Sequence, residues 1–447
     1  MATTYLTRTS WGTATNRQKF TQSFWIKRSA IGVQQALLGV ESGGNDEARV
    51  LFRTDDTFEF YDYQSGYTFR YITNRKFTDC SAWYNIVLRV DTDNGTVANR
   101  VRIYINGVQE TSFSTGTQPS RNLNTFYNSS GNHIVQIGRQ STGNSYFNGS
   151  MSHVNFLDGE DRDGSFFGST DATTGEWKIK TTPSGVNYGT NGYFILKNGN
   201  TITDSSPNSN NFSVGGGLLT KTEDCPDNVF ITLNPLFYVS SAYTLIQGNL
   251  RTNGTSSNAD RSLYGTIGAS SGKYYFETKI DDTYGGDSNN IRIGIVSDDQ
   301  VVQTVNNGTF FSTSRGYAYY GQDGSKRNNG NTASYGNTFT INDIIGCAFD
   351  LDNNKIYWSK NNVWQNSGDP TSGATGTGSA YNLATGYSYL PAISNYYTQD
   401  KVSINFGNGY FGATAVSSAG TNASGNGIFE YAVPTGYTAL STKGLNL

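Results

Sequence analysis

The chain has 447 residues, of which 14% are aromatic and 15% charged, with 52 glycines and a formal net charge of −3. Aromatic residues favour pleated strands, and Gly, Asn and Ser favour the turns between them, so the composition predicts an all-β protein. No basic surface is expected for nucleic acid, and no apolar run reaches the ~20 residues of a membrane span, so neither nucleic-acid binding nor membrane insertion is expected.

The amino terminus and the cysteines indicate where the chain is made. The first residues, MATTYLTRTSWGT, contain no apolar segment of the kind that directs secretion. Cys80, Cys225 and Cys347 are widely separated and follow no metal-ligand spacing, so we expect reduced thiols rather than a disulfide framework. Both features predict synthesis in a reducing cytoplasm. A chain that acts outside the cell would then have to leave it by another route, such as assembly into a virus particle followed by lysis.

Residues 1–160 contain repeated alternation of apolar and polar side chains, the pattern of half-buried strands. Val101, Ile103 and Ile105 share one face of the segment RVRIYIN, and the segments WYNIVLRV and SFWIK alternate in the same way. Asn-Gly dipeptides between such segments suit tight turns. The pattern predicts a sandwich of antiparallel strands.

Residues 161–245 have a different character. Gly, Asn and Ser dominate and long alternating runs are few, yet aromatic residues are spread through the segment. A solvated linker would not need so many aromatic side chains. We therefore predict an ordered, strand-poor connector whose aromatics, Trp177, Tyr193 and Phe194 among them, pack on the neighbouring domains.

Alternation returns in residues 246–447. Ile291, Ile293 and Ile295 share one face of IRIGI, and YYFETKI and VSINF alternate likewise. Asp-Asn-Asn between CAFDL and KIYWSK indicates a tight hairpin, and NSGDPTSGATGTGSA reads as a polar, glycine-rich loop. The pattern predicts a second antiparallel sandwich followed by a carboxy-terminal tail.

Three groups of motifs resemble known families. FTQSFWIKRS, WYNIVLRVD, RVRIYINGVQ and YFNGSMSHVNFLDG resemble the laminin-G-like, concanavalin-type jelly roll. GKYYFETKI, IRIGIVSDD, YAYYGQDGSKRNNG and DIIGCAFDLDNNKIYWSKNN, in this order, resemble the SPRY domain, a bent sandwich that binds proteins or peptides through loops at one end and is not an enzyme. LDGEDRDGSFFGSTDATTGEWKIK, SPNSNNFSV and the ending FEYAVPTGYTALSTKGLNL resemble tail-fibre-like virion proteins of tailed phages. This last resemblance implies a location on the virion surface.

The carboxylates that glycoside hydrolysis requires are missing from the strand patterns. Retaining glycosidases use two carboxyl groups about 5 Å apart, which on one strand must share a face. Glu59 and Asp62 are three residues apart and point to opposite faces. His133 and His153 have no carboxylate or thiol beside them at ligand spacing. We expect a protein without enzymatic activity and without an organic cofactor.

Acidic loops could supply the six or more oxygen ligands that Ca²⁺ takes. They contain Asp91, Asp93 and Asn94, then Asp281, Asp282 and Asp287, and finally Asp350, Asp352 and Asn353. Laminin-G-like domains that bind calcium do so at the rim of the sandwich, so the resemblance singles out Asp91 and Asp93. The alternative is that these residues only form hairpin turns, in which Asp and Asn are common.

Some aromatic residues fall where a core cannot take all of them. Of two consecutive strand residues, one faces away from the core. An outward ring beside Asn, Asp and Gln suits a sugar or a protein partner, whereas core packing is the alternative for each residue. The candidates for ligand contact are Tyr319, Tyr320, Asp323, Trp364, Tyr396 and Tyr397. We expect the loops that carry them to converge at one end of the second sandwich.

Two functions of different class follow. The first is adhesion, in which a tail fibre or similar appendage binds a host-surface glycan or protein. The second is structural, in which the sandwiches decorate or connect the particle and bind only other virion proteins. Self-association into a homo-oligomer is compatible with both.

Overall fold

The structure, a computed structural model, describes residues 3–9, 11–42, 44–129, 131, 133–140, 145–197, 199, 201–237, 243–254, 260–285, 290–304 and 309–447. The chain forms two compact units, Met1–Lys221 and Thr222–Leu447. Of the residues, 44% lie in strands and 6% in helices, which confirms the all-β prediction. No helix in the described part of the chain has the length and apolar character needed to cross a membrane.

The first unit consists of short and medium strands. They are β1 Tyr5–Arg8, β2 Lys19–Arg28, β3 Gln35–Glu41, β4 Glu47–Phe52, β5 Thr57–Tyr63, β6 Tyr67–Lys76, β7 Tyr84–Asp91, β8 Val101–Ile105, β9 Val108–Gln109, β10 Phe113–Thr117, β11 Ile134–Ile137, β12 Gly149–Asp158, β13 Gly168–Thr170, β14 Trp177–Ile179, β15 Tyr193–Ile195 and β16 Ser213–Gly216. Short 3₁₀ turns lie at Val97–Asn99 and Gly164–Phe166.

Two antiparallel sheets make the first sandwich. One has the order β10-β6-β5-β4-β3-β11-β1-β16 and the other β15-β12-β2-β7-β8-β9. Val101, Ile103 and Ile105 of β8 all enter the core between the sheets, as the alternation predicts. Their neighbour Tyr104 lies on the opposite face of the sheet, in a separate cluster with Phe194.

The first half of the predicted connector belongs to this unit. β15 extends one sheet by pairing with β12, and β16 extends the other by pairing with β1. Tyr193 and Phe194 are buried as expected, whereas Trp177 is only half-buried. A Cβ at Gly107, where φ is +77°, would lie 2.3 Å from the Trp177 ring, so this close approach requires glycine.

A buried carboxylate fastens the connector to the sandwich. Asp158, at the end of β12, accepts backbone N–H groups from Thr15 at 2.8 Å and from Asn191 at 3.0 Å. The Asn128 amide donates to the same carboxylate at 2.7 Å. These bonds join three distant segments, and the first unit therefore runs past residue 160 to Lys221.

The second unit has strands β17 to β33. They are β17 Tyr243–Ile246, β18 Arg251–Gly254, β19 Arg261–Tyr264, β20 Lys273–Asp282, β21 Ile291–Ser297, β22 Gly316–Tyr320, β23 Ser325–Asn328, β24 Asn331–Ser334, β25 Ile344–Asp350, β26 Lys355–Lys360, β27 Val363–Trp364, β28 Tyr381–Asn382, β29 Tyr389–Asn395, β30 Lys401–Asn405, β31 Tyr410–Phe411, β32 Thr414–Ala415 and β33 Thr438–Ala439. The helix α1 spans Asp298–Thr304, and 3₁₀ turns lie at Phe310–Ser312, Gln365–Ser367, Pro370–Thr375 and Gly444–Asn446.

The second sandwich also has two sheets. One has the order β17-β18-β30-β20-β25-β26-β27, with β28 on β26 and β33 on β20, and the other β19-β29-β21-β22-β23-β24. Ile291, Ile293 and Ile295 enter the core between them, as the alternation predicts. The polar loop at 366–380 contains the 3₁₀ turn Pro370–Thr375, which Asp369 caps by accepting the N–H of Thr371.

The carboxy-terminal tail is part of this sandwich. β33 pairs in parallel with β20, and Phe429 and Tyr437 pack on the outer face of the sheet against Tyr275. Phe230 joins the same cluster, so the second half of the predicted connector packs here. The segment 161–245 is thus shared between the two compact units, because each half supplies apolar side chains that a sheet face needs.

Candidate functional site

Loops of the second unit converge where several strands end. β21 pairs antiparallel with both β22 and β29, which places Arg292 opposite Tyr320 and Ser394. In the other sheet, Ile345 near the start of β25 lies opposite Lys360 at the end of β26. Since β20 leads into β21 and β29 leads into β30, these ends lie on one side. We call residues 283–285, 321–324, 335–343, 361–364 and 396–400 the loop end.

Tyr319 and Tyr320 are both buried, whereas the sequence marks them as candidates for ligand contact. Tyr319 is 0% exposed and packs in the core against Phe339 and Trp358, and its hydroxyl donates to the Asn337 carbonyl. Tyr320 points to the other face, as two consecutive strand residues must, but guanidinium groups cover its ring there. Their carbon atoms lie 4.2 Å (Arg292) and 3.9 Å (Arg327) from the ring centroid.

Trp364 is half-buried rather than a free anchor. Its ring meets that of Tyr275 edge-on at 6.4 Å and packs against the cluster that the carboxy-terminal tail covers. The adjacent Val363 is 65% exposed. The sequence predicts an outward ring at Trp364, because the residue follows an Asn-Asn turn, but the structure exposes the aliphatic neighbour more.

A depression at the loop end brings two of the predicted segments together. It is open to solvent, has a volume of about 660 Å³ and is lined by Asp323, Gly336, Asn337, Thr338, Lys360, Asn361, Val363 and Gln365. Asp323 is the predicted site residue that lines it, and Val363 and Gln365 flank the predicted Trp364. Val363 is the exposed apolar side chain of the depression, and the other side chains that line it are polar.

Hydrogen bonds fix the walls of this depression. The buried Gln365 accepts the backbone N–H of Asn337 at 2.8 Å and donates to the Val363 carbonyl at 2.7 Å, so it ties two loops together. Lys360 donates to the Thr338 carbonyl at 2.8 Å and forms an ion pair with Asp343 at 3.0 Å. The depression is therefore largely pre-formed.

The charges around the depression are balanced. Lys360 is neutralised by Asp343, and Asp323 lies 3.3 Å from the guanidinium of Arg327. Such pairs leave little net field to steer a charged ligand. The arrangement suits a polar, uncharged ligand that places an apolar group on Val363.

Tyr396 and Tyr397 form a separate cluster at the loop end. The ring of Tyr397 stacks on that of Tyr284 at 4.3 Å with an interplanar angle of 21°, and Tyr396 meets Tyr397 edge-on at 4.8 Å. Tyr284 is 45% exposed. The sequence does not predict the role of Tyr284. This tyrosine follows β20 outside any alternating pattern, and its stacking partner Tyr397 lies in a distant loop.

Asp400 holds this cluster in place. The side chain is fully buried, and its two oxygens accept the backbone N–H groups of Tyr284 at 3.2 Å and Tyr397 at 3.1 Å. Burial raises the pKa of Asp400, while the N–H donors oppose that shift. The carboxylate thus joins the loop after β20 to the loop after β29.

The predicted calcium ligands Asp91 and Asp93 both face cations. Asp91 lies 3.9 Å from the Lys19 ammonium and accepts a bond from the Asn94 amide, while Asp93 lies 3.7 Å from the Arg121 guanidinium. Within the described residues no group of three His, Cys, Asp or Glu side chains is arranged to hold a metal ion. Calcium binding at Asp91 and Asp93 stays a prediction.

The other two acidic loops are likewise engaged. Asp281 accepts bonds from Arg251 at 2.6 Å and from the Ser403 hydroxyl at 2.7 Å. Asp350 pairs with Lys273 at 3.0 Å. Asp287 lies outside the described residues.

The carboxylates considered for catalysis in the first unit have structural partners. Glu59 forms ion pairs with Arg53 at 2.8 Å and Arg70 at 2.7 Å. Asp62 is buried on the opposite side and accepts the backbone N–H groups of Phe126 and Tyr127. Burial raises the pKa of Asp62.

Parts of the chain are similar to known proteins. The chain is 35% identical over 98 residues to a Ran-binding proteins 9/10 homolog of Drosophila melanogaster, an alignment that covers 22% of this chain and 10% of that protein. The SPRY domain of human HERC1 is 19% identical with a TM-score of 0.30 over 38% of this chain and 96% of its own. Another human SPRY domain is 18% identical with a TM-score of 0.26 over 35% of this chain and 90% of its own.

Family models match two separate stretches. Residues 2–160 match the model described as the concanavalin A-like lectin/glucanases superfamily, and residues 273–409 match the SPRY domain. Laminin-G-like domains, which this first model describes, and SPRY domains are typically binding modules. The chain therefore joins an amino-terminal concanavalin-like domain to a carboxy-terminal SPRY domain.

Proposed function

We propose that this chain is a non-enzymatic adhesion protein on the surface of a bacteriophage particle, and that its SPRY domain binds a host-surface protein or glycan. The depression at the loop end carries the proposal. It combines hydrogen-bonded polar side chains with an exposed apolar contact at Val363, a composition that suits a binding site.

The location on a particle rests on the sequence of the connector and of the ending. Their motifs resemble those that link similar domains in tail-fibre-like virion proteins. Cys80, Cys225 and Cys347 are free thiols, which fits a protein made in a reducing cytoplasm and released by lysis.

Charge balance at the depression supports contact by shape and hydrogen bonding. Asn337, Asn361 and Gln365 line it with amide groups, and its charged residues are paired. The name of the Drosophila relative refers to binding another protein, which favours a protein ligand for the SPRY domain.

Labelled protein incubated with a panel of bacterial cells tests the proposal. Val363→Asp should lower binding about tenfold or more, because it places a charge on the apolar contact. Val108→Asp is the matched control, since Val108 is 66% exposed in the first unit. Equal binding by Val363→Asp and the wild type would remove the depression from the proposal.

The structural alternative predicts a different result. A decoration or connector protein would bind none of the cells and would instead bind the other proteins of the purified particle. Immunogold labelling of particles separates the two, because an adhesin is expected at the tips of appendages.

A further inference from the structure

The stacked tyrosines at the loop end form a second surface. We call Tyr284, Tyr396 and Tyr397 the aromatic platform. Tyr284 and Tyr397 are nearly parallel at 4.3 Å, and Tyr284 is 45% exposed. None of the three residues lines the depression around Val363. The platform is therefore distinct from the surface that carries the proposed function.

A buried carboxylate, Asp400, holds the loops of the platform together. Burying a carboxylate is unfavourable unless it is hydrogen-bonded, and Asp400 meets this condition through backbone N–H groups of the platform itself. The Asn395 amide donates to the Asp400 carbonyl at 2.9 Å and anchors the loop to β29. These bonds hold the backbones of the exposed Tyr284 and the half-buried Tyr397, so they position a partly exposed pair of rings at the surface.

The shape of the platform selects among ligand classes. A protein anchor side chain needs a pocket that surrounds it. A ring that stacks on Tyr284 needs only a flat aromatic face with polar groups beside it. The rings supply that face. Thr398 and Gln399 follow Tyr397 in the same loop, where the Thr398 hydroxyl donates to the Gln399 side-chain oxygen at 2.9 Å.

The charges near the platform favour an uncharged ligand. Lys401, the nearest cation along the chain, forms an ion pair with Asp282 at 3.0 Å. Asp400 is buried beneath the loop. A sugar ring has an apolar face for stacking and hydroxyl groups at its edge for hydrogen bonds, and it carries no charge.

We propose that the aromatic platform binds a neutral saccharide, one sugar ring stacking on Tyr284 while Tyr396 and Tyr397 flank and support it. This inference rests on the proposed function only in assigning both surfaces to attachment, and it concerns a separate set of residues.

Affinity electrophoresis of the full chain in gels that contain laminarin, dextran, amylose or galactomannan tests the proposal. The wild type should be retarded by at least one of these neutral polysaccharides. Tyr284→Ala should weaken that binding about tenfold or more, whereas Tyr284→Phe, which keeps the ring, should stay within about threefold. The melting temperature of Tyr284→Ala should be near that of the wild type, because the side chain lies outside the core, is 45% exposed and loses a ring contact at the surface.

Two controls separate the platform from other surfaces. Tyr387→Ala removes a ring that Arg315 covers at 4.2 Å, just before β29 begins and so at the opposite end of the sandwich, and should leave retardation unchanged. Val363→Asp should also leave it unchanged while reducing binding to cells. Tyr396→Ala gives a second platform variant should Tyr284→Ala fold poorly.

Failure of the inference and failure of the proposed function are distinguishable. A wild type that none of the four polysaccharides retards, or a Tyr284→Ala variant retarded like the wild type, overturns the saccharide platform and leaves the test at Val363 intact. Retardation abolished by Val363→Asp would assign the sugar to the depression and would equally overturn the inference.

Discussion

Val363 and Trp364 are neighbours on β27, and the strand directs their side chains to opposite sides. Val363 lines the depression, while Trp364 packs with Tyr275 under the carboxy-terminal tail. Substitutions at these two adjacent residues should therefore separate the proposed binding from stability.

Trp364→Ala should lower the free energy of unfolding of the second unit by about 1–3 kcal/mol, less than the loss of a fully buried ring. The reason is that the ring is half-buried and has one aromatic partner, Tyr275. Urea denaturation measures the loss. At temperatures where the variant is folded its binding to cells should match the wild type, and a selective loss of binding would return Trp364 to the site.

Glu277 gives the second unit a pH-dependent stability. Burial raises the pKa of this carboxyl from its ordinary value near 4.5 to about 7, against the backbone N–H groups of Glu430 and Tyr431, which favour the charged form. A raised pKa means that the folded state holds the proton more tightly. The stabilisation is therefore complete below pH 4.5 and is lost as the pH rises to about 7.

The difference between the wild type and Glu277→Gln isolates this carboxyl. The free energy of unfolding of the wild type should fall by roughly 2–4 kcal/mol more than that of the variant between about pH 4.5 and 7.5. Urea titrations at several pH values measure both slopes. Parallel curves for the two proteins would show that Glu277 titrates normally.

At the scale of strands, the local alternation of apolar and polar residues is sufficient to predict which side chains are buried, wherever one face of a strand meets a core. The alternation in β8 and β21 placed Ile103 and Ile293 correctly, because a period of two is a property of the strand itself. The outer faces could not be predicted in this way. Tyr320 is covered by Arg292 and Arg327, which come from other strands, and no local pattern shows such a cover.

The convergence of the candidate loops also follows from the strand order. Antiparallel topology places the loops that bear Asp323 and Trp364 at one end. The choice among residues of those loops depends on which side chain the rest of the fold covers. The tail supplies that cover for Trp364, and it leaves Val363 exposed.

The tail should stabilise the SPRY domain although it lies beyond the matched residues 273–409. Phe429→Ala removes a fully buried ring that packs on Tyr275 at 5.1 Å and should cost about 3–5 kcal/mol. Leu445→Ala, at an exposed position of the same tail, should cost less than about 0.5 kcal/mol. Thermal unfolding of both variants measures the difference, and equal melting temperatures would show that the tail only lies on the sheet.

At the scale of the whole molecule, the compact units define how the chain can be divided. A fragment of residues 1–221 keeps β15 and β16 and the bonds of Asp158 to Asn191, whereas a fragment of residues 1–160 loses them. In the same way, residues 222–447 keep Phe230, Ile231 and Leu233 in their clusters, and residues 246–447 do not.

We therefore expect the fragments 1–221 and 222–447 to fold cooperatively when each is expressed alone. The fragments 1–160 and 246–447 should unfold at clearly lower temperature or aggregate, because each exposes a sheet face that the missing segment covers. Circular dichroism during heating, with light scattering to detect aggregation, compares all four. Equal melting temperatures for 1–160 and 1–221 would place the stability of the first unit within the strands up to β12 alone, and β15, β16 and the Asp158 bonds would then be dispensable.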